Sequence, residues 1–463
     1  MRNVLLSSVL AALVCGVEGV PLASAAPAAP PAPPAPMADA APAALASGQA
    51  ASSTLTLQET IARALQDSPA LRKAEDELQS SRNAKWQSWA EVGPRASADY
   101  SEVHFDDAQT ALMGPQTITL RPKVTKDGSI TVAQPLTGAV ALGAKASLSG
   151  VQQEMKENAL GLTKSDVAFQ AAETYIKAFQ ADQQLQVTLA SITAVQEQLK
   201  DAEALERVGR LSHADTLKLQ LAVSQAKVQA AQARAAREVA TAALREALGL
   251  PPGAPLALAA ALPKISTTVP ELDQAIKIAE TKRTEPTQAK LGVDAAKFGK
   301  DLAYAEFVPS VNAFVKWDRN LGELAGLGAE RDTRSYGLSA QWDIWGNGSR
   351  VFAVRSAAAT VQAAEESTRL VRQQIRLDVT QALANLAAAR ESLGLAKVAV
   401  AQAEEAYRIE KARFATGQRS ATDLVLAESS LTGARGQLVT ARADLVSWQL
   451  KMQRALGGEL PQI

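Results

Sequence analysis

The heptapeptide Gly209-Arg-Leu-Ser212-His-Ala-Asp215 returns as Gly417-Gln-Arg-Ser420-Ala-Thr-Asp423, a G-x-x-S-x-x-D pattern displaced by 208 residues (417 − 209). The pattern ends one helix and starts another. Glycine accepts the positive φ of a helix end, serine caps the next helix, and an acidic residue three positions on completes a capping box. Each copy is therefore the turn of a helical hairpin. Two further landmarks recur in the same order. Gln134-Pro-Leu-Thr-Gly138 falls on Trp342-Asp-Ile-Trp-Gly346 at the same displacement, and Ala90-Glu-Val-Gly-Pro94 falls on Ala305-Glu-Phe-Val-Pro309 at 215. The displacements differ because the intervening loops differ in length. The chain is a duplication, each half running helix, Pro, two strands, Gly, long helix, tip and second long helix. Pro251-Pro252 and Pro263 mark the junction.

Outward from the tips, apolar residues step by three or four. Leu185, Leu189, Ile192, Val195, Leu199, Ala202 and Leu205 form one such seam, and Val379, Leu383, Leu386, Leu393, Val400 and Tyr407 form another. No proline interrupts residues 137–250 or 310–460. A helix from about Leu148 to Val208 is roughly 90 Å long and needs neighbours along its whole length. A soluble coiled-coil spacer has the same periodicity, so the segments between the helices decide. In Ser335–Ile344 the even positions Tyr336, Leu338, Ala340, Trp342 and Ile344 alternate with Ser335, Gly337, Ser339, Gln341 and Asp343. That period of two, over the length a tilted strand needs to cross a bilayer, predicts a transmembrane strand with its even side on lipid and its odd side on a lumen. Its duplicate is Ser129–Leu136, with Gln134 as a polar break. Ala96, Ala98 and Tyr100 alternate similarly, as do Val311, Ala313, Val315 and Trp317. Trp317, Trp342 and Trp345 suit an interfacial girdle. Four strands cannot close a barrel, so several chains must share one.

Composition agrees. Of 463 residues, 47% are hydrophobic but only 4% aromatic, which suits narrow helix seams better than a thick core. Lys+Arg and Asp+Glu are both 48, which gives no electrostatic argument for nucleic acid. Arg2, the apolar run Val4–Val14 and Ala23-Ser24-Ala25 read as a signal peptide over 1–25. Cys15, the single cysteine, lies within it, and lipidation there is the alternative to ordinary cleavage. Residues 26–53 are an Ala/Pro-rich linker, 54–262 the first repeat, 263–457 the second and 458–463 a tail.

No catalytic constellation, cofactor site or metal site is expected, and an enzyme is not the reading. His104 reads as a surface-loop residue and His213 as a tip residue, neither with a ligand-spaced companion. Gly346-Asn-Gly348-Ser-Arg350 lacks the Lys of a phosphate loop and reads as a strand-to-helix turn.

From about Leu55 to Leu456 the sequence resembles the TolC-like outer-membrane efflux protein family. The resemblance is carried by the duplicated hairpins, the A-E-x-x-P strand entries, the two tips, the Leu57-Gln-Glu-Thr-Ile-Ala start and Ser68-Pro69. It implies a mainly α fold with a small β part: long α-helical hairpins plus four transmembrane strands per chain, completing a twelve-stranded barrel as a homotrimer. It places the chain in the outer membrane, extending into the periplasm. There it is a passive channel that takes cargo from an inner-membrane pump and a periplasmic adaptor, for tripartite efflux or type I secretion. The tip residues Gly209, Ser212, Asp215, Gly417, Arg419, Ser420 and Asp423 become gate candidates. Asp423 matches an acidic entrance position, while Leu426 stands where some members carry a second acidic ring. Arg419 and Asp215 match a closing link, with Phe414 where the family has a Tyr. The rival reading is a soluble periplasmic coiled-coil adaptor or spacer. Adaptors usually pair one hairpin with lipoyl-like domains, and this chain has two hairpins.

Overall fold

The computed structural model describes residues 54–136, 138–263, 270–323 and 330–458. The signal peptide, Cys15, the linker before Thr54 and the tail beyond Gly458 lie outside them. Described helices in the first repeat are α1 (Leu57–Asp67), α2 (Pro69–Ala90), α3 (Gly138–Arg207) and α4 (His213–Ala247). The second repeat has α5 (Leu272–Lys282), α6 (Glu285–Ala305), α7 (Ser349–Ala415) and α8 (Ala421–Ala455). Between them lie β1 (Arg95–His104), β2 (Gln109–Met113), β3 (Gln116–Arg121) and β4 (Val124–Pro135) in the first repeat, and β5 (Ser310–Asn320) and β6 (Asp332–Gln341) in the second.

Local chemistry sets the helix boundaries. Thr56 and Glu59 cap α1 reciprocally: the Glu59 amide donates to Thr56 Oγ1 at 3.2 Å, and the Thr56 amide donates to Glu59 Oε2 at 2.9 Å. Ser68 is extended (ψ 120°) because Pro69 follows, and Pro69 opens α2 where a missing N–H is harmless. The second repeat breaks likewise at Arg283, extended at ψ 147°, with Pro286 in the first turn of α6. Arg283 anchors that break to α7, at 2.6 Å from Glu285 and 3.0 Å from Asp378.

The helical seams are built from small residues. Ala171, Ala172, Ala178, Ala202, Ala275 and Ala382 are all buried, so backbones approach closely without aromatic bulk. Tyr175 is an exception to this economy; it is fully buried, and its hydroxyl donates to the Leu55 carbonyl at 3.0 Å. Leu55 itself bridges to Leu258, which ties the start of the first repeat to the segment between repeats. The expected long helix is longer than its periodicity indicated. α3 starts at Gly138 rather than near 148, and its 70 residues span about 105 Å.

β1, β4, β5 and β6 form one antiparallel sheet in that order, and β2 and β3 form a separate hairpin between β1 and β4. That hairpin was not foreseen. The expected strands at Ser129–Leu136 and Ser335–Ile344 are also shifted, to Val124–Pro135 and Asp332–Gln341. β6 ends where β5 begins: Gln341 pairs with Ser310, whose hydroxyl donates to the Gln341 carbonyl at 3.2 Å. Trp342 and Ile344 therefore lie just past the strand. Asp343 turns instead to Arg350, at 3.1 Å. His104 is the last residue of β1 rather than a loop residue, 3.1 Å from Glu102.

Candidate functional site: the sheet faces and the hairpin tips

Directly paired residues of an antiparallel ladder share a face, so the register sorts the sheet. One face carries Ala98, Ile130 and Trp317 in one row and Val132, Val315 and Tyr336 in the next. Ala313 pairs with Leu338 and Val311 with Ala340 on the same face. Tyr336 and Leu338 are 86% and 71% exposed, so this apolar face has no cover within the chain. The opposite face carries Ser97, Asp99, Thr131, Lys316, Asp318 and Ser339. Phe314 is its one aromatic side chain; its ring lies on Gly337, where an added Cβ would come within 3.3 Å. The polar break at Gln134 is resolved at the helix end of the apolar face, where its amide donates to the Val92 carbonyl at 2.8 Å. Charged residues of the apolar face gather at the other end: Glu102 holds Lys126 at 3.2 Å and accepts from the Tyr100 hydroxyl at 2.8 Å. Trp342, Ile344 and Trp345 extend the exposed apolar surface past the sheet towards α7.

At the far end of the hairpins, both tips are built as the capping chemistry requires. Gly209 (φ 71°) and Gly417 (φ 76°) turn the chain out of α3 and α7 in the left-handed region that glycine tolerates. Ser212 Oγ accepts from the Asp215 amide at 3.2 Å and donates to Asp215 Oδ2 at 2.7 Å. Ser420 and Asp423 form the full reciprocal box, with the Ser420 amide donating to Asp423 Oδ2 at 3.3 Å. Beneath them Ala202, Leu219, Phe414, Ala421 and Leu424 make one buried cluster that locks the two tips of a chain together. Phe414 is 3% exposed, so this phenyl is a core residue of the tip.

Within one chain the structure does not bring Arg419 to Asp215. Arg419 lies 3.5 Å from Glu410 and 3.7 Å from Asp423, while Asp215 takes Lys218 at 3.1 Å. His213, at the tip as expected, sits 2.8 Å from Glu206. Glu410 and Glu206 were not singled out in sequence, because partners across a turn leave no periodic signal, and Lys218, at i+3 from Asp215 on the same helix, was not singled out either. Among the described residues no helix is long and apolar enough to cross a membrane.

Residues 276–458 match the sequence model of a family described as "Outer membrane efflux protein". The chain is 26% identical over 410 residues to Protein CyaE of Bordetella pertussis, covering 87% of this chain and 84% of that one. In sequence the chain thus resembles the outer membrane efflux protein family, most directly through its second repeat. Its fold is similar to that of the outer membrane protein VceC from Vibrio cholerae (TM-score 0.72, 18% identity, 88% of this chain and 97% of that one). It is also similar to the open state of the Neisseria gonorrhoeae MtrE outer membrane channel (TM-score 0.71, 19% identity, 88% and 90%). The matched family is one of outer membrane efflux proteins, and the fold is one found in outer membrane channels. The soluble-adaptor reading finds no support in either.

The tip geometry yields a pH dependence. The Ser212 hydroxyl, and then Lys218, hold the Asp215 carboxyl below its ordinary value. A depressed carboxylate contributes its stability fully above the ordinary aspartate value of about 3.9, and loses it as pH falls through the lower folded value. In hydrogen exchange corrected for intrinsic rates, protection of the first turn of α4 should hold at pH ~5 and collapse only well below pH ~3.9. Ser212→Ala should remove about 1 kcal/mol of that protection at neutral pH. Unchanged protection would mean that the tip does not depend on its cap.

Proposed function

We propose that three copies join their sheets into a twelve-stranded barrel in the outer membrane, with the hairpins continuing it as a tunnel through the periplasm. A periplasmic adaptor and an inner-membrane pump deliver cargo to the tips, in tripartite efflux or type I secretion, and the channel itself conducts passively. One observation carries this reading: a four-stranded antiparallel sheet that is apolar on one face, polar on the other and open at both edges. A strand of ten residues is about 33 Å long and, tilted by about 40°, rises about 25 Å, the height of a lipid-facing barrel band. Tyr336, Leu338 and Ala340 then meet lipid, with Trp342 and Ile344 at the band's periplasmic limit. Ser339 and Gln341 face the lumen.

The tips are the gate in this reading. Asp215 and Asp423 ring the entrance, and Arg419 of one copy can reach Asp215 of the next when it leaves Glu410. Exposed pairs contribute only about 0–1 kcal/mol each, but symmetry repeats each around the ring. Phe414 has no hydroxyl for a second link, and its ring is buried in the tip.

Two measurements in planar bilayers test the proposal. Leu338→Arg should lose about 2–4 kcal/mol of membrane stability and fail to give channels, whereas Ser339→Arg should assemble and shift ion selectivity. Equal assembly of the two variants would refute the assigned faces. Arg419→Ser should raise single-channel conductance; an unchanged conductance would reduce the tip residues to helix caps.

A further inference from the structure

We propose that the outer rim of the sheet's apolar face binds the phosphate of a lipid headgroup in the outer leaflet, held between Arg334 and Arg319 with Lys126 beside them. The inference rests on the channel reading above, which puts the helices in the periplasm and the opposite end of the sheet at the outer surface. The register collects the three cations. Arg334 pairs with Trp317, Arg319 with both Gly128 and Asp332, and Lys126 with Glu102. Two residues along a strand return to the same face, so all three share the face of Trp317, Tyr336 and Leu338. Arg334 and Arg319 are diagonal neighbours on adjacent strands, and so are Arg319 and Lys126, with Cβ atoms about 7–8 Å apart. Two guanidinium groups at that separation can close on one phosphate.

The three stand at one level. Arg334 is the third residue of β6 from its outer end, Arg319 the last but one of β5, and Lys126 the third of β4. Nearer the helices the same face carries Ile130, Val132, Val315, Tyr336 and Leu338, and no charged residue of these strands. Eight residues separate Arg334 from Trp342 (342 − 334), about 20 Å up a strand tilted by about 40°. Arg334 therefore stands near the top of a lipid-facing band about 25 Å tall, where headgroups replace hydrocarbon. Its side chain is exposed there, directly beside Trp317, a residue type that favours the same interface.

Charge on this rim does not cancel within the chain. Lys126 lies 3.2 Å from Glu102, which also accepts from the Tyr100 hydroxyl at 2.8 Å and lies 3.1 Å from His104. Arg319 lies 3.6 Å from Asp332, beyond hydrogen-bond reach, so its guanidinium keeps donors to spare. Among the described residues Arg334 has no ion-pair partner, although it borders hydrocarbon, where an uncompensated charge is costly. The lumen face is different: there Lys316 closes on Asp318 at 2.6 Å. Arginine presents paired N–H donors that match phosphate oxygens, and a phosphate supplies the negative charge that this rim lacks.

Native mass spectrometry of the detergent-solubilised oligomer tests the site, with doubly phosphorylated lipid A as the probe and the same lipid stripped of phosphate as the control. The oligomer should retain the phosphorylated lipid and release the stripped one. Arg334→Gln combined with Arg319→Gln should weaken retention about tenfold, and Arg334→Gln alone carries the test where the double variant assembles poorly. Lys316→Gln, an equal loss of charge on the lumen face, should leave retention unchanged. Equal retention of the stripped lipid, equal weakening by Lys316→Gln, or full displacement by millimolar inorganic phosphate would overturn the inference. So would a loss of oligomer stability by Arg334→Gln in lipid-free detergent, because Arg334 would then belong to a carboxylate of a neighbouring copy. A conducting oligomer with no phosphate preference overturns this inference alone, whereas a folded monomer that forms no channels would overturn the channel reading itself.

Discussion

An unpaired sheet edge in hydrocarbon is the constraint on which the architecture turns. Every N–H and C=O exposed there lacks water to bond with, and each costs several kcal/mol. A chain that contributes four strands, with β1 and β6 at the edges, cannot meet that requirement alone. The same sheet has one face that water would penalise and another that lipid would penalise. In the proposed channel both problems have one solution: neighbours that supply strands and bend the sheet into a closed wall.

The helices obey a parallel constraint in water. A helix of about 105 Å has no stability of its own at that length, so α3 is flanked by α1, α2, α4, α6 and α8 along its course. Alanine at the seams allows many close backbone approaches in place of one thick core, which accounts for the low aromatic content. The seams therefore stabilise by repetition. At the tips the seam ends in Phe414 and Leu424, and the capping serines and aspartates satisfy the helix ends that water would otherwise solvate.

Much of this was legible in sequence because duplication and periodicity are properties of residue order. The Gly209 and Gly417 turns, the Ser212 and Ser420 caps and the alternation from Val311 to Trp317 all stand where their spacing put them. The start of α3 was obscured because Gly138, Gly143 and Gly150 dilute the apolar step in its first turns. The end of β6 depended on its partner: Trp342 and Ile344 keep the alternation, but β5 begins only at Ser310, opposite Gln341. The β2–β3 hairpin is five and six residues long, below the length at which alternation stands out. The charge partners of the tips, Glu410 above all, became visible only once the turn had folded. Phe414 is the instructive case: in sequence it marks a missing hydroxyl, and in the structure it is the centre of the tip's core.

The central claim is that neighbouring copies satisfy the edges of the sheet. Amide hydrogen exchange on the protein reconstituted in lipid tests it most directly, read at the β1 and β6 amides that have no partner within the chain. If neighbours close the barrel, those amides should exchange as slowly as the amides shared by β4 and β5. Fast exchange confined to β1 and β6, with β4 and β5 protected, would show an open sheet and contradict the account.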